Sequence, residues 1–268
     1  MVLTEGDQKM LVAVKSFPCE DSLSRKKKRK INKKITRELK FMDRLREIPE
    51  FPEIYGVCKN QSGYHIIMEF IGNKEIRQSQ TILDEFHKQY NNGFPYTNRR
   101  RDIMWMNIFL DIIRGIRKMH EEGIIHCDIA PRNVLLYKNN YKRTAAKVID
   151  LGLACDKEHP RWLSLGRFRR KSTTDQIMDL NSFVAPEFAN GTCWSRGGHF
   201  STATDVWSFG NMLDATTPLI TVRTKAKLQK LIEGCTVEDP TLRITTEQIQ
   251  SKLESLILKI QMEYLRCM

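Results

Sequence analysis

The chain has 268 residues, 41% of them hydrophobic, which is enough apolar material for a packed core and excludes a disordered tail. Lys and Arg outnumber Asp and Glu by 44 to 32, a formal net charge of +12, so the surface favours acidic partners: nucleotide phosphates, nucleic acid, an anionic membrane face or acidic protein segments. The seven cysteines are odd in number and never spaced C-x-x-C, which argues against a disulfide framework or a zinc site and for a reducing compartment. The N-terminus lacks a signal-peptide pattern and no stretch approaches the ~18 apolar residues of a membrane span. A soluble intracellular protein with no membrane partner is expected.

Residues 10–17, MLVAVKSF, form an apolar, β-branched run that predicts a strand, with Lys15 inside it. From Cys19 to Lys34 the chain turns polar and basic, with an unbroken run from Arg25 to Lys30, and reads as an exposed connection. The run resembles a monopartite nuclear-import signal, while its bland reading is a solvated loop, so cytoplasmic and nuclear locations both stay open. Ile35, Leu39, Met42 and Leu45 then recur at helical spacing and predict a helix of about three turns. EIYGVCK and YHIIMEFIG predict two further strands around the turn-forming residues Asn60 to Gly63. From Asp84 to His120 the pattern is helical on both sides of a Gly- and Pro-containing break, and its second half is apolar enough for a buried central helix. IIHCDIAPRNVLLY and AAKVIDLGLA predict loop and strand, Asp156 to Asp179 a mobile loop, and the rest mainly helix. The expected class is α+β, one domain with a β-rich part over residues 1–72 and a helical part over 73–268.

Two carboxylates and an amide stand out within apolar surroundings. Asp128 and Asn133 lie five apart in HCDIAPRN, and Asp150 follows Asp128 by 22 residues in DLG. Lys15 on a strand and Glu38 on the next helix can form an ion pair that aims an ammonium at phosphates. Phosphoryl transfer needs this kind of set: metal-bound phosphates, a positioned hydroxyl and cancellation of charge.

The set resembles the signature of the protein kinase family, over nearly the whole chain and in order. VAVK ending at Lys15 resembles the phosphate-binding strand, with Glu38 its helix partner. HCDIAPRN resembles the catalytic loop, which implies Asp128 as the base that orients the substrate hydroxyl and Asn133 as a magnesium ligand. DLG resembles DFG, with Asp150 the second ligand. Ala185, Pro186 and Glu187 form an unchanged APE, DVWSFG from Asp205 resembles the helix that anchors the catalytic loop, and Arg243 resembles the partner of Glu187. The resemblance further implies Met68 as gatekeeper, the backbone of Glu69 to Ile71 facing adenine, and Ala13 and Leu135 enclosing the ring. ATP and Mg²⁺ are then the expected cofactors, a protein hydroxyl the acceptor, and a bilobal kinase fold the architecture.

The sequence departs from the family in informative places. Upstream of Lys15 stand 14 residues with one glycine, Gly6, so the glycine-rich roof over ATP is expected to be missing or very short. Cys127 replaces the arginine of HRD and cannot pair with a phosphorylated activation loop. Leu151 replaces the DFG phenylalanine but stays apolar. The interval from Glu187 to Arg243 is shorter than the family's, trimming a region that docks substrates. Ala130 and Arg132 look like tyrosine kinases, yet the segment after DLG holds Ser172, Thr173 and Thr174 and no tyrosine, which favours serine or threonine. Stripped-down kinases of large DNA viruses are similar. A rival reading is a pseudokinase or decoy that docks on a host kinase or regulatory protein. Nucleic-acid binding rests on net charge alone, and the intact APE and DVWSFG argue against a small-molecule kinase.

Overall fold

The computed structural model describes residues 2–5, 8–18, 24–60, 63–93, 97–158, 183–189 and 200–265. Its first part is an antiparallel sheet of β1 (Val2–Glu5), β2 (Gln8–Pro18), β3 (Ile54–Asn60) and β4 (Gly63–Glu69) in the order β1-β2-β4-β3. The register pairs Ala13 with Met68, Lys15 with Ile66 and Phe17 with Tyr64, so these six share a face. That face packs on Ile31, Ile35, Leu39 and Met42 of helix α1 (Arg25–Arg44). Lys15 is thus a lysine on the inward side. β1 pairs with β2 from Val2↔Leu11 to Glu5↔Gln8, and Gly6, where the glycine-rich roof was expected to be missing or short, lies outside the described residues.

The basic run is corrected by the structure. Arg25 to Lys30, exposed except for the half-buried Lys28, is not a connection but the start of α1, which has 20 residues rather than three turns. Ser24 caps it, its hydroxyl accepting from Lys27 N at 3.4 Å. Lys and Arg are good helix formers, and Ile31, four residues before Ile35, carries the inner stripe one turn further upstream. Cations in a first turn oppose the helix dipole, so packing of Ile35, Phe41 and Leu45, all buried, holds this helix in place.

The second part is mainly helical: α2 (Ile82–Asn91), α3 (Arg99–Glu121), α4 (Pro186–Ala189), α5 (Thr202–Ala215), α6 (Val222–Cys235) and α7 (Thr246–Leu265). α2 starts with a reciprocal cap between Thr81 and Asp84, and α3 with the Asn98 side chain. α3 is the expected central helix, with Trp105, Ile108, Ile112, Ile113 and Ile116 fully enclosed. At Gly115 an added Cβ would stand 2.8 Å from that of Glu50, so the missing side chain lets the Glu50–Phe51 segment lie against α3. Two small sheets complete the fold: β5 (Gln80–Thr81), β7 (Val134–Lys138) and β8 (Thr144–Val148) in the order β5-β7-β8, and β6 (Ile124–Ile125) with β9 (Cys155–Asp156). The architecture is α+β, a small antiparallel sheet with one helix beside a mainly helical body. The expected mobile loop, including the Arg167–Thr174 stretch, lies outside the described residues from His159 onward.

Candidate active site

A cavity of about 340 Å³ separates the sheet from the helical body. Ala13, Met68, Glu69, Ile71 and Leu135, expected to enclose a base, all line it, joined by Met42, Leu45, Phe51, Val148 and Leu151. Lys15, Glu38, Asn133 and Asp150 line the same cavity. An apolar chamber with a few convergent polar groups is the usual form of a small-molecule site.

Lys15 is the centre of the polar set. Its Nζ donates to Glu38 Oε1 and, at 2.7 Å, to Asp150 Oδ1. Glu38 is reached because α1 turns it inward, its side chain only 2% exposed, whereas the Asp150 carboxylate is 45% exposed. Burial works against the charge of Lys15, but the Glu38 and Asp150 carboxylates outweigh it and hold the ammonium above the usual lysine range. Burial likewise pushes Asp150 up, and the bond and charge of Lys15 with the Gly152 N–H outweigh it, leaving the carboxyl below its ordinary value. Asp150 adopts φ +68°, a left-handed conformation costly for a side-chain-bearing residue. The Gly152 N–H, 3.1 Å from Oδ1, and the Lys15 ammonium hold it there.

The loop between β6 and β7 carries the other two groups. Asp205 on α5, fully buried, accepts from His126 N and Cys127 N at 2.8 Å each and contacts His120 Nε2 at 2.8 Å. Two backbone N–H groups on one carboxylate fix the loop, with Cys127 at φ +64°. His126 Nε2 lies 3.2 Å from Ile149 O, tying the loop to the residue just before Asp150. Within the loop Asn133 Nδ2 donates to Asp128 O at 2.8 Å and Oδ2 at 2.9 Å, and Arg132 donates to Asp128 Oδ1. Asp128 stands beyond the cavity lining, joined to it through Asn133. Farther out, Arg243 grips Glu187 with Nη1 at 2.9 Å and Nη2 at 2.7 Å and also donates to Val237 O, Ala203 O and Glu238 O.

Sequence reasoning missed several contacts. Glu69 at the cavity edge takes Lys147 Nζ at 2.5 Å on its carboxylate, and its N–H donates to Glu53 O at 2.8 Å. Ile71 O accepts from Ser79 Oγ at 2.7 Å. Arg37 on α1 donates to Gly152 O at 2.8 Å, a second link from that helix to the Asp150 turn. The Cys127 and Cys155 sulfurs lie 3.5 Å apart in a buried cluster. Burial and the neighbouring Cys155, Asp205 and Asp128 push the Cys127 thiol well up. None of these pairs has a local sequence signal, except that the Lys147 position on a buried strand calls for a partner.

The donor set suits a nucleotide with a hard cation. Asn133 has committed its amide nitrogen to Asp128, so its carbonyl oxygen is the atom left to offer, and Asp150 adds an exposed carboxylate. No group of three or more His, Cys, Asp or Glu among the described residues could hold a metal alone. Magnesium is usually held by one or two protein oxygens together with substrate phosphates, and the Asp150 carboxylate and the Asn133 carbonyl would be the oxygens to hold it here. Among the described residues no helix is long and apolar enough to cross a membrane.

The protein kinase domain family model matches residues 2–218. Calcium-dependent protein kinase 27 of Arabidopsis thaliana is 24% identical over 200 residues, 74% of this chain and 35% of the relative. Mitogen-activated protein kinase kinase kinase 20 of the same plant is 24% identical over 209 residues, 76% of this chain and 50% of its own length. The G-type lectin S-receptor-like serine/threonine-protein kinase LECRK1 of Oryza sativa subsp. indica is 29% identical over 187 residues, 69% of this chain and 19% of its length. The chain therefore spans half or less of each of these three relatives.

Proposed function

Because the chain belongs to the protein kinase family, we propose that it moves the γ-phosphate of ATP to a serine or threonine hydroxyl of a protein with the help of Mg²⁺. The observation that carries this reading is the convergence on one cavity of Lys15, braced by Glu38 and Asp150, with the Asn133–Asp128 pair beside it. In this reading Ala13, Met68, Ile71 and Leu135 enclose the base, and Lys15 neutralises phosphate charge while Glu38 keeps it aimed. Asp150 and Asn133 hold Mg²⁺, which when bound would offset charge on the phosphates. Asp128 accepts a hydrogen bond from the acceptor hydroxyl and orients it, while Arg132 keeps that carboxylate in place. The serine or threonine preference draws on the name of the rice relative and on the three hydroxyl residues, Ser172 to Thr174, in a tyrosine-free segment.

Nucleotide binding is tested by thermal unfolding with ATP and Mg²⁺. A midpoint that rises with ATP for the native protein, and does not for Lys15→Met, supports the reading, since a ligand that binds only the folded form stabilises it by mass action. A native midpoint that ignores ATP at millimolar concentration would oppose it.

A further inference from the structure

Helix α1 carries far more charge than bracing Lys15 requires. Eleven of its 20 residues are Lys or Arg, against two acidic ones, Glu38 turned into the cavity and Asp43 near the end. Arg25, Lys28, Arg29, Lys33, Arg37 and Lys40 line one open groove of about 630 Å³, with only Asn32 and Thr36 between them. Their spacings of three and four residues place them on one side of the helix. The row from Arg25 to Lys40 runs about 22 Å at ~1.5 Å per residue.

From this row we infer that α1 is the docking surface for an acidic segment of the protein substrate, an inference that rests on the kinase reading above. The groove is lined by cations and two polar residues, with no apolar side chain to enter a lipid layer and no aromatic to stack on an unpaired base. What it offers is a linear array of positive charge, and its complement is a linear array of negative charge. The row also reaches the site: Arg37, near its end, donates to Gly152 O, two residues past Asp150. An extended peptide of about six residues, at ~3.4 Å each, would cover the row. An acidic partner also offsets the cost of stacking cations in the first turns of a helix.

The test compares two synthetic peptides with one serine each, one flanked by six Asp and Glu residues and one by Gln and Ala. The full chain is compared with the Lys28→Glu/Arg29→Glu/Lys33→Glu variant. Glu is a good helix former, so this variant should fold, and Lys28→Gln/Arg29→Gln/Lys33→Gln is the second form. The expected result is a KM at least tenfold lower for the acidic peptide, with that advantage lost in both variants and in 0.5 M salt, while kcat, the KM for ATP and the rate on the neutral peptide hold. Equal KM values for the two peptides, or an advantage that survives charge reversal, would overturn the docking surface and leave the kinase reading standing. Should no peptide receive phosphate, the kinase reading fails, and fluorescence anisotropy of the labelled acidic peptide still judges the groove: binding lost on charge reversal supports it, no binding refutes it. Duplex DNA that binds the native chain and that the acidic peptide cannot displace would also overturn it, in favour of nucleic acid.

Discussion

Lys15 Nζ stands 2.7 Å from Asp150 Oδ1, a bond that spans 135 residues of chain and joins the sheet to the helical body across the mouth of the cavity. Because Glu38 holds the same ammonium, one lysine fixes three elements: β2, α1 and the turn after β8. In the proposed reading, phosphates entering the cavity would meet a cation already aimed.

Removing Lys15 leaves Glu38, nearly inaccessible, without its counter-charge. Lys15→Met is expected to lose about 3 kcal/mol of stability, and Lys15→Met/Glu38→Leu to recover much of that loss while remaining unable to transfer phosphate. Urea unfolding separates the two effects. A double variant no more stable than the single one would show that Glu38 is not the strained group.

Arg243 lies beneath the site with no accessible side-chain surface and donates to Glu187 and three backbone carbonyls. Arg243→Ala strands those acceptors and the Glu187 carboxylate, with an expected loss of about 3–5 kcal/mol, as for one partner removed from a buried pair. Replacing both by Gln and Met should cost less. Denaturant midpoints at constant slope measure the difference.

The pH dependence follows from the same pair. Asp150 has a lowered pKa in the folded protein, so its contribution to stability is complete above the ordinary Asp value near ~4 and is lost as pH falls through the folded value. Lys15 is raised, so its contribution is complete below the ordinary lysine value near ~10.4 and is lost as pH rises through the folded one. Stability from this pair is therefore level across neutral pH. Asp150→Asn should flatten the acid limb below about pH 4, which urea midpoints between pH 2 and 6 would read. An unchanged limb would contradict the pairing.

Among the described cysteines, Cys58 is exposed while Cys127, Cys155 and Cys235 are buried. Burial pushes Cys235 up to about 12 and Cys127 well above its usual range. Thiolate is the reactive form, so iodoacetamide at pH 8 should modify Cys58 at least tenfold faster than these three. Peptide mass spectrometry checks the order, and early labelling at Cys127 would contradict the packing seen here.

Much of the site was legible because it is written in short local runs. Asp128 and Asn133 share a loop, Asp150 follows a strand, and apolar neighbours on either side announce that each is held rigidly. The basic stretch was misread for a physical reason: six consecutive cations look like solvated chain, while the feature that makes them helical, Ile31 in step with Ile35, is a single residue whose value depends on the sheet it packs against. The partners of Glu69, Arg37 and Cys127 were invisible because each lies across the fold: Lys147 on β8, the carbonyl of Gly152 and Cys155 on β9. Arg132 was seen only as a family mark, whereas its bond to Asp128 makes it a positioning group for the proposed base.

The central claim is that Lys15, Asp128, Asn133 and Asp150 act together to transfer phosphate. The most direct test is incorporation of labelled γ-phosphate from ATP and Mg²⁺ into generic protein substrates and into the chain itself, comparing the native protein with Asp128→Asn and Lys15→Met over a range of ATP concentrations. The account expects label from the native protein, reduced at least 100-fold in each variant while both remain folded. No label from a folded native protein at any ATP concentration, or equal label in all three, would contradict it, and the first outcome would favour a scaffold that keeps the kinase shape without the chemistry.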